Sequence, residues 1–203
     1  MMPILYIESS ETSGTPRLLD FRGNKRLCMI KMSKLSSKIR VVSNPKKMES
    51  CPEKGLQFYK TYALVVSETL QKPMFQRFID WILKREKIEK NAVRDIQVRV
   101  FPFQKENGNS VAGRCNNKGV ILIFPRKRSF LQKKMQEHKK ENVRFYLKSR
   151  AMASLIHELL HVKYESDEGM VRKLTKKYFG IFIRHQNTDT QKVHSIQKML
   201  FSV

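Results

Sequence analysis

The chain has 203 residues and 40% hydrophobic content, enough for one sizeable core in one domain with a tail or in two very small domains. Its 41 Lys and Arg against 18 Asp and Glu give a formal charge of +23, a surplus that favours an anionic partner, with nucleic acid the commonest. Three features exclude other classes. Cys28, Cys51 and Cys115 are odd in number, widely spaced and form no CxxC pair, so no disulfide framework is expected. No apolar window reaches the length that spans a bilayer, so no membrane partner is expected. The N-terminal MMPILYIESSETSG has no basic residue ahead of its brief apolar patch and is not a secretory signal. The expected location is intracellular and cytoplasmic, with nucleoid association following if the basic surface engages DNA.

Residues 1–54 read as a basic, weakly structured arm, with SSETSGTP as a polar turn-rich stretch followed by RGNKR, KMSKLSSKIR and NPKK. Short apolar pieces such as IRVV leave open a pair of strands that extend a main sheet. From Gly55 a helix is expected, with Phe58, Tyr62, Val65, Val66, Thr69 and Leu70 at helical spacing. Pro73 interrupts it, and Phe75, Phe78, Ile79, Ile82 and Leu83 form a second apolar stripe. DIQVRVFPF alternates as a strand does, ENGNS is a turn signal, and VAGRCNNKGVILIFP reads as a hairpin whose second strand is Val120–Phe124.

Residues 126–150 hold ten basic and two acidic residues and are expected to be mostly helical. A long helix then runs from about Asn142 through His161, with Leu147, Ala151, Leu155 and Leu159 on one face and Ala153, Ile156 and Leu160 on another. Apolar residues on most sides place it at the centre of the domain. Ser166 can cap a following helix, Met170, Val171, Leu174, Tyr178 and Phe179 give it an inner face, and Gly180 would end or bend it. A last helix is expected near 189–201.

The long helix carries His157-Glu158-Leu159-Leu160-His161. Histidines four apart project from one helical face one turn apart, so both imidazoles can meet a single zinc ion. Glu158 points about 100° around the helix from His157, beside the metal instead of on it, where it can act as general base toward a zinc-activated water. A structural site has no use for such a base, whereas two core histidines on an apolar face would each need a polar partner in a dry interior. A third protein ligand is required. Glu168 is favoured, because a second helix beginning near Ser166 can bring it back against the first; Glu165, Asp167 and His185 remain open.

The stretch IHELLHVKYESDEGMVRKL, with AGRC and VILIFP upstream, resembles the zincin metallopeptidases. Glu168 as third ligand fits the gluzincin type, although the interval after the motif is short. The order of hairpin, basic helix and H-E-x-x-H helix resembles the SprT-like family of DNA-associated proteases, and Ala112, Gly113, Cys115 and the Val120–Phe124 strand match its upstream segment. There are departures. The third histidine usual in SprT-like proteins is missing between His161 and His185, and Tyr164 stands where metzincins place a glycine. The resemblance covers about residues 95–180. It implies an α+β, zincin-like domain over 55–203, in which a small mixed or antiparallel sheet packs on the central helix.

The expected activity is zinc-dependent hydrolysis of peptide bonds, with one Zn2+ held by His157, His161 and Glu168 and Glu158 as the base. A protein or peptide substrate would extend along Val120, Ile121, Leu122 and Ile123 by main-chain hydrogen bonds. An oxyanion donor is expected among Tyr164, Tyr178 and His185. Arg126, Lys127, Arg128, Lys133, Lys134, Lys139 and Lys140 are expected to contact the phosphates of DNA or RNA. The alternative is a basic nucleic-acid-binding module with a structural or vestigial zinc site.

Overall fold

A computed structural model of the chain describes residues 35–44, 48, 49, 51, 53–106, 108–137, 140–186 and 200. Most of the expected N-terminal arm, the last expected helix apart from Leu200, and Lys139 lie outside the described residues. Among those described, the regular elements run β1 (Ile39–Val42), α1 (Glu53–Gln71), α2 (Pro73–Arg85), β2 (Asp95–Arg99), β3 (Gln104–Glu106), β4 (Asn109–Val111), β5 (Gly113–Cys115), β6 (Val120–Ile123), α3 (Arg128–Glu137), α4 (Lys140–Tyr164) and α5 (Glu168–Gln186). The architecture is mixed α+β.

The main sheet has the order β1-β2-β6-β5. The first three strands are parallel, and β5 runs antiparallel to β6 on the far edge. Register aligns Ile39 with Ile96 and Ile96 with Ile121, then Val98 with Ile123. All five side chains are buried, so β-branched rows cross the sheet and its register is fixed by burial. Strands β3 and β4 make a separate antiparallel ladder.

This topology corrects two expectations. The arm does not extend to residue 54, because Leu35 is fully buried in the core and β1 pairs with β2, the outcome left open for IRVV. An isolated four-residue strand carrying a central arginine has too little periodicity to announce itself. Strand β6 is not an edge: it is hydrogen-bonded to β2 on one side and β5 on the other. Its main-chain groups are spent on the sheet, and Ile121 and Ile123 are core residues, so Val120, Ile121, Leu122 and Ile123 cannot receive an added strand.

Helix α1 turns Tyr59, Tyr62, Ala63, Val66 and Leu70 inward. Pro73 opens α2 in its first turn, where a missing N–H costs nothing, and Phe75, Phe78, Ile79, Ile82 and Leu83 face the core. Helix α4 is buried on two sides, with Ala151, Leu155 and Leu159 on one and Ala153, Ile156 and Leu160 on the other. Helix α5 continues through Gly180 to Gln186 instead of bending there, and Met170 is exposed while Val171, Tyr178, Phe179, Phe182 and Ile183 are buried.

The β5–β6 hairpin is closed by its sequence. Asn116 Oδ1 accepts from the N–H groups of Lys118 and Val120, and Gly119 takes a φ of 71°. A side chain at 119 would collide with the Ala92 carbonyl, 2.1 Å from where its Cβ would lie, so glycine is required. The hairpin thereby sets β5 against α4.

Candidate metal centre

Helical spacing brings His157 and His161 onto one face of α4, with Nε2 atoms 3.1 Å apart and rings edge to face. The chain then reverses sharply. Glu165 adopts a φ of 42° and donates its N–H to the His161 carbonyl, and Asp167 donates to Tyr164. Asp167, not Ser166, supplies the side-chain cap of α5: its Oδ1 accepts from the Met170 N–H at 2.9 Å. Helix α5 consequently packs back along α4 with Glu168 in its first turn. Glu168 Oε2 lies 3.2 Å from His161 Nε2 and Oε1 lies 3.7 Å from His157 Nε2.

These separations fit a metal ion. Tetrahedral donors at zinc bond lengths stand about 3.3 Å from one another. The three donors lie around that spacing, and they are the His/Cys/Asp/Glu group among the described residues that could hold a cation. Glu165, Asp167 and His185 lie outside the set.

The surroundings orient the rings. His161 Nδ1 donates to the Glu165 carbonyl. A carbonyl can only accept, so the Nε2 of His161 keeps its lone pair and points it into the centre. His157 Nδ1 meets the Thr175 hydroxyl at 3.4 Å. Two bare ring nitrogens at 3.1 Å repel unless a proton or a cation lies between them. Burial lowers the His157 pKa to about 4, with His161 pushing the same way and Glu168 opposing, so the ring is neutral at pH 7, the form that ligates. For Glu168, burial alone would raise the carboxyl, but the Arg172 bond and both histidines hold it below the usual range.

Glu158 is 6% exposed and stands next to this set, not in it. Burial raises its pKa to about 7, helped by Glu168 and opposed by His161, the Cys115 N–H bond and Arg114. Its side chain lies against Gly113 of β5. Cys115 is pushed up to about 11 by burial and by Glu158, which leaves a protonated, unreactive thiol.

The centre opens on a cleft of about 1810 Å3 whose wall includes Gly113, Arg114, Arg126, Tyr146, Arg150, Ser154 and Arg172. Strand β5 is its exposed sheet edge. Bonds between β5 and β6 fall at the flanking positions, from Phe124 N–H to the Ala112 carbonyl and from Asn116 N–H to the Val120 carbonyl. Antiparallel alternation then turns the main-chain groups of Gly113 and Cys115 outward. The expected oxyanion donors are elsewhere: Tyr164 and Tyr178 both donate to Glu86, and neither they nor His185 lines the cleft.

Sequence reasoning missed Thr175, Arg150 and the role of β5. Arg150 had a signal, since it sits seven residues before His157 on the same helical face. Of the basic residues expected at phosphates, Lys127 and Lys133 are exposed and Lys134 is half-buried on α3, but Arg126 packs over the Phe130 ring at 4.2 Å and lines the cleft, and Arg128 lies over Phe58. Lys140 begins α4, and its side chain lies outside what is described. No helix of the described residues is long and apolar enough to cross a membrane.

Comparisons with protein-family models, curated proteins and solved structures return no match.

Proposed function

We propose that this chain is a zinc-dependent metallopeptidase of the zincin kind. The observation that carries the reading is the convergence of His157, His161 and Glu168 beside a buried carboxylate, Glu158, at the wall of an open cleft. Two nitrogens and one carboxylate oxygen in near-tetrahedral spacing suit zinc, and three protein donors leave a position free, as catalytic sites do. A bound zinc ion supplies Lewis acidity toward a peptide carbonyl and toward water.

The chain's own residues divide the remaining work. Glu158 takes the proton of the attacking water on its carboxylate and returns it to the leaving amine. Burial raises the Glu158 pKa to about 7 in the metal-free chain, and a cation on the three donors would lower it, toward the carboxylate form that accepts the proton. The outward main-chain groups of Gly113, on the free edge, bond an extended peptide by strand addition, a role that replaces the one expected of β6. Glu165 and Thr175 fix the two imidazoles.

The test is metal content beside turnover. Purified protein should hold one zinc per chain and cleave an unfolded protein such as casein, and Glu158→Gln should keep the zinc while losing cleavage. A metal-free protein, or undiminished cleavage by that variant, would overturn the reading. Nucleic acid enters as a recruiting partner, supported by the +23 charge and by exposed Lys127 and Lys133.

A further inference from the structure

The cleft wall contains five arginines. Arg94 is exposed to solvent, and the circumstances of the other four differ. Arg114 pairs with Glu106 at 2.8 Å, and Arg172 pairs with Glu168 at 2.5 Å. Arg126 and Arg150 have no carboxylate partner among the described residues. Arg150 is only 6% exposed, and its guanidinium donates to neutral acceptors alone: the Tyr62 hydroxyl at 3.3 Å, the Phe124 carbonyl at 2.9 Å and the Val111 carbonyl at 3.1 Å. Arg126 is half-buried, lies over the Phe130 ring and lines the same cleft as Arg150. Burial lowers its pKa, and Arg150 adds to that fall. A buried guanidinium with neutral acceptors alone, and a second half-buried one in the same cleft wall, have lost hydration that a counter-charge in the cleft would restore.

The geometry points to a carboxylate-binding subsite of the peptidase cleft, formed by Arg126 and Arg150, that selects peptides with an acidic side chain or a terminal carboxylate at a fixed distance from the scissile bond. This assignment rests on the peptidase reading above. Arg150 and His157 are seven residues apart on one helix, which is about 10 Å along the axis. An extended peptide advances about 3.3 Å per residue, so one lying along the helix axis would place its carboxylate about three residues from the bond that is cut. Planar guanidinium groups match a carboxylate by paired hydrogen bonds, which a lysine would not do as well.

The test uses zinc-loaded Glu158→Gln full-length chain, which retains bound peptide, and four fluorescent probes at one ionic strength. One decapeptide has an internal Glu and an amidated end. A second is neutral with a free C-terminal carboxylate. A third is neutral and amidated, and the fourth probe is a single-stranded oligonucleotide. At least one carboxylate peptide should bind about tenfold or more tightly than the third, and Arg126→Ala should erase that difference at unchanged zinc content. Which of the first two binds tells side chain from chain end. Arg150→Lys is the second variant; because Arg150 also ties together carbonyls, its folding is checked by circular dichroism, and Arg126→Ala is the deciding substitution. Equal binding of the three peptides, a preference that survives Arg126→Ala, or Arg126-dependent binding of the oligonucleotide alone overturns the subsite. Cleavage of the same peptides by the unmodified chain is scored separately. No cleavage with the Arg126-dependent preference intact removes the peptidase reading and leaves the subsite standing.

Discussion

Glu158 and Gly113 are in contact across the cleft wall: a Cβ placed on Gly113 would lie 2.7 Å from Glu158 Cγ and 2.8 Å from Oε1. The strand therefore has glycine where the Glu158 carboxylate needs room. Gly113→Ala should displace the Glu158 carboxylate while leaving the three metal donors alone. Misplacing a catalytic group by about 1 Å can cost on the order of a hundredfold in rate. The expected outcome is full zinc occupancy with kcat reduced at least about tenfold, measured by metal analysis and a peptide-cleavage assay. Unchanged kcat would show that Glu158 tolerates the methyl group.

Metal loading should be visible in stability. A ligand at a thousand times its dissociation constant adds about 4 kcal/mol to a folded state that alone binds it. Zinc should raise the unfolding temperature of the unmodified chain and of Glu158→Gln. It should raise that of His157→Ala and Glu168→Ala far less. An equal rise for all four proteins would place the metal elsewhere.

The buried Glu158 carboxyl gives a pH dependence of definite sign. Its folded pKa of about 7 lies above the ordinary value of 4.5, so the fold favours the protonated form. The stability it contributes is complete below about pH 4.5 and is lost as pH rises through about 7. In metal-free protein Glu158→Gln should therefore be the more stable at pH 8, by on the order of 2–3 kcal/mol, with the margin closing toward pH 4.5. His157 works in the opposite sense, with stability present above 6.5 and lost as pH falls toward 4, and both proteins share that trend. Denaturant titrations of the two proteins across this range decide the matter; a margin independent of pH would contradict it.

Glu86, at the end of α2, accepts hydrogen bonds from Tyr164 on α4, Tyr178 on α5 and Lys163. Burial would raise its pKa, but these donors more than offset that and hold it below the usual range. Its contribution is thus present above the ordinary carboxylate pKa and fades as pH falls through the lower folded value. Glu86→Ala would remove the acceptor of the Tyr178 O–H, on a side chain only 1% exposed, at a cost of about 1–3 kcal/mol. Because the same bonds set how α5 returns along α4, zinc affinity should weaken as well. Denaturation midpoints and competitive zinc titration measure both effects, and wild-type values in each would dismiss the clasp.

Exposed Lys127 and Lys133 bear on nucleic acid. If they contact phosphates, DNA affinity should fall by orders of magnitude between roughly 50 and 200 mM salt. Replacing both by Glu should flatten that dependence. Binding insensitive to salt would count against phosphate contacts by these lysines.

Much of the centre could be read from residue order, because helix geometry is local. Once a helix is granted at 142–161, the positions of His157, Glu158 and His161 follow from its pitch. Glu168 needed one further inference, a reversal after Tyr164; that favoured it, while the neighbouring Glu165 and Asp167 stayed open as ligands. What could not be read was pairing between distant segments. Ile39 meets Ile96 across 57 positions, and only that long-range contact makes β6 an interior strand and passes the edge to β5. Gly113–Cys115 was legible as the first arm of a hairpin, but nothing in its three residues says that it ends the sheet order in place of β6. Glu86 was equally hidden, one acid in a charged KREKIEK run whose partners arrive 77 to 92 positions later.

The bend at residues 165–167 is the only joint between the helix bearing both imidazoles and the helix bearing the third donor. A residue added there has to be taken up within the bend; one added inside the helix between Glu168 and the buried Val171 would turn Glu168 by about 100° against that face and carry it off the imidazoles. Changes at this corner therefore bear on all three donors at once.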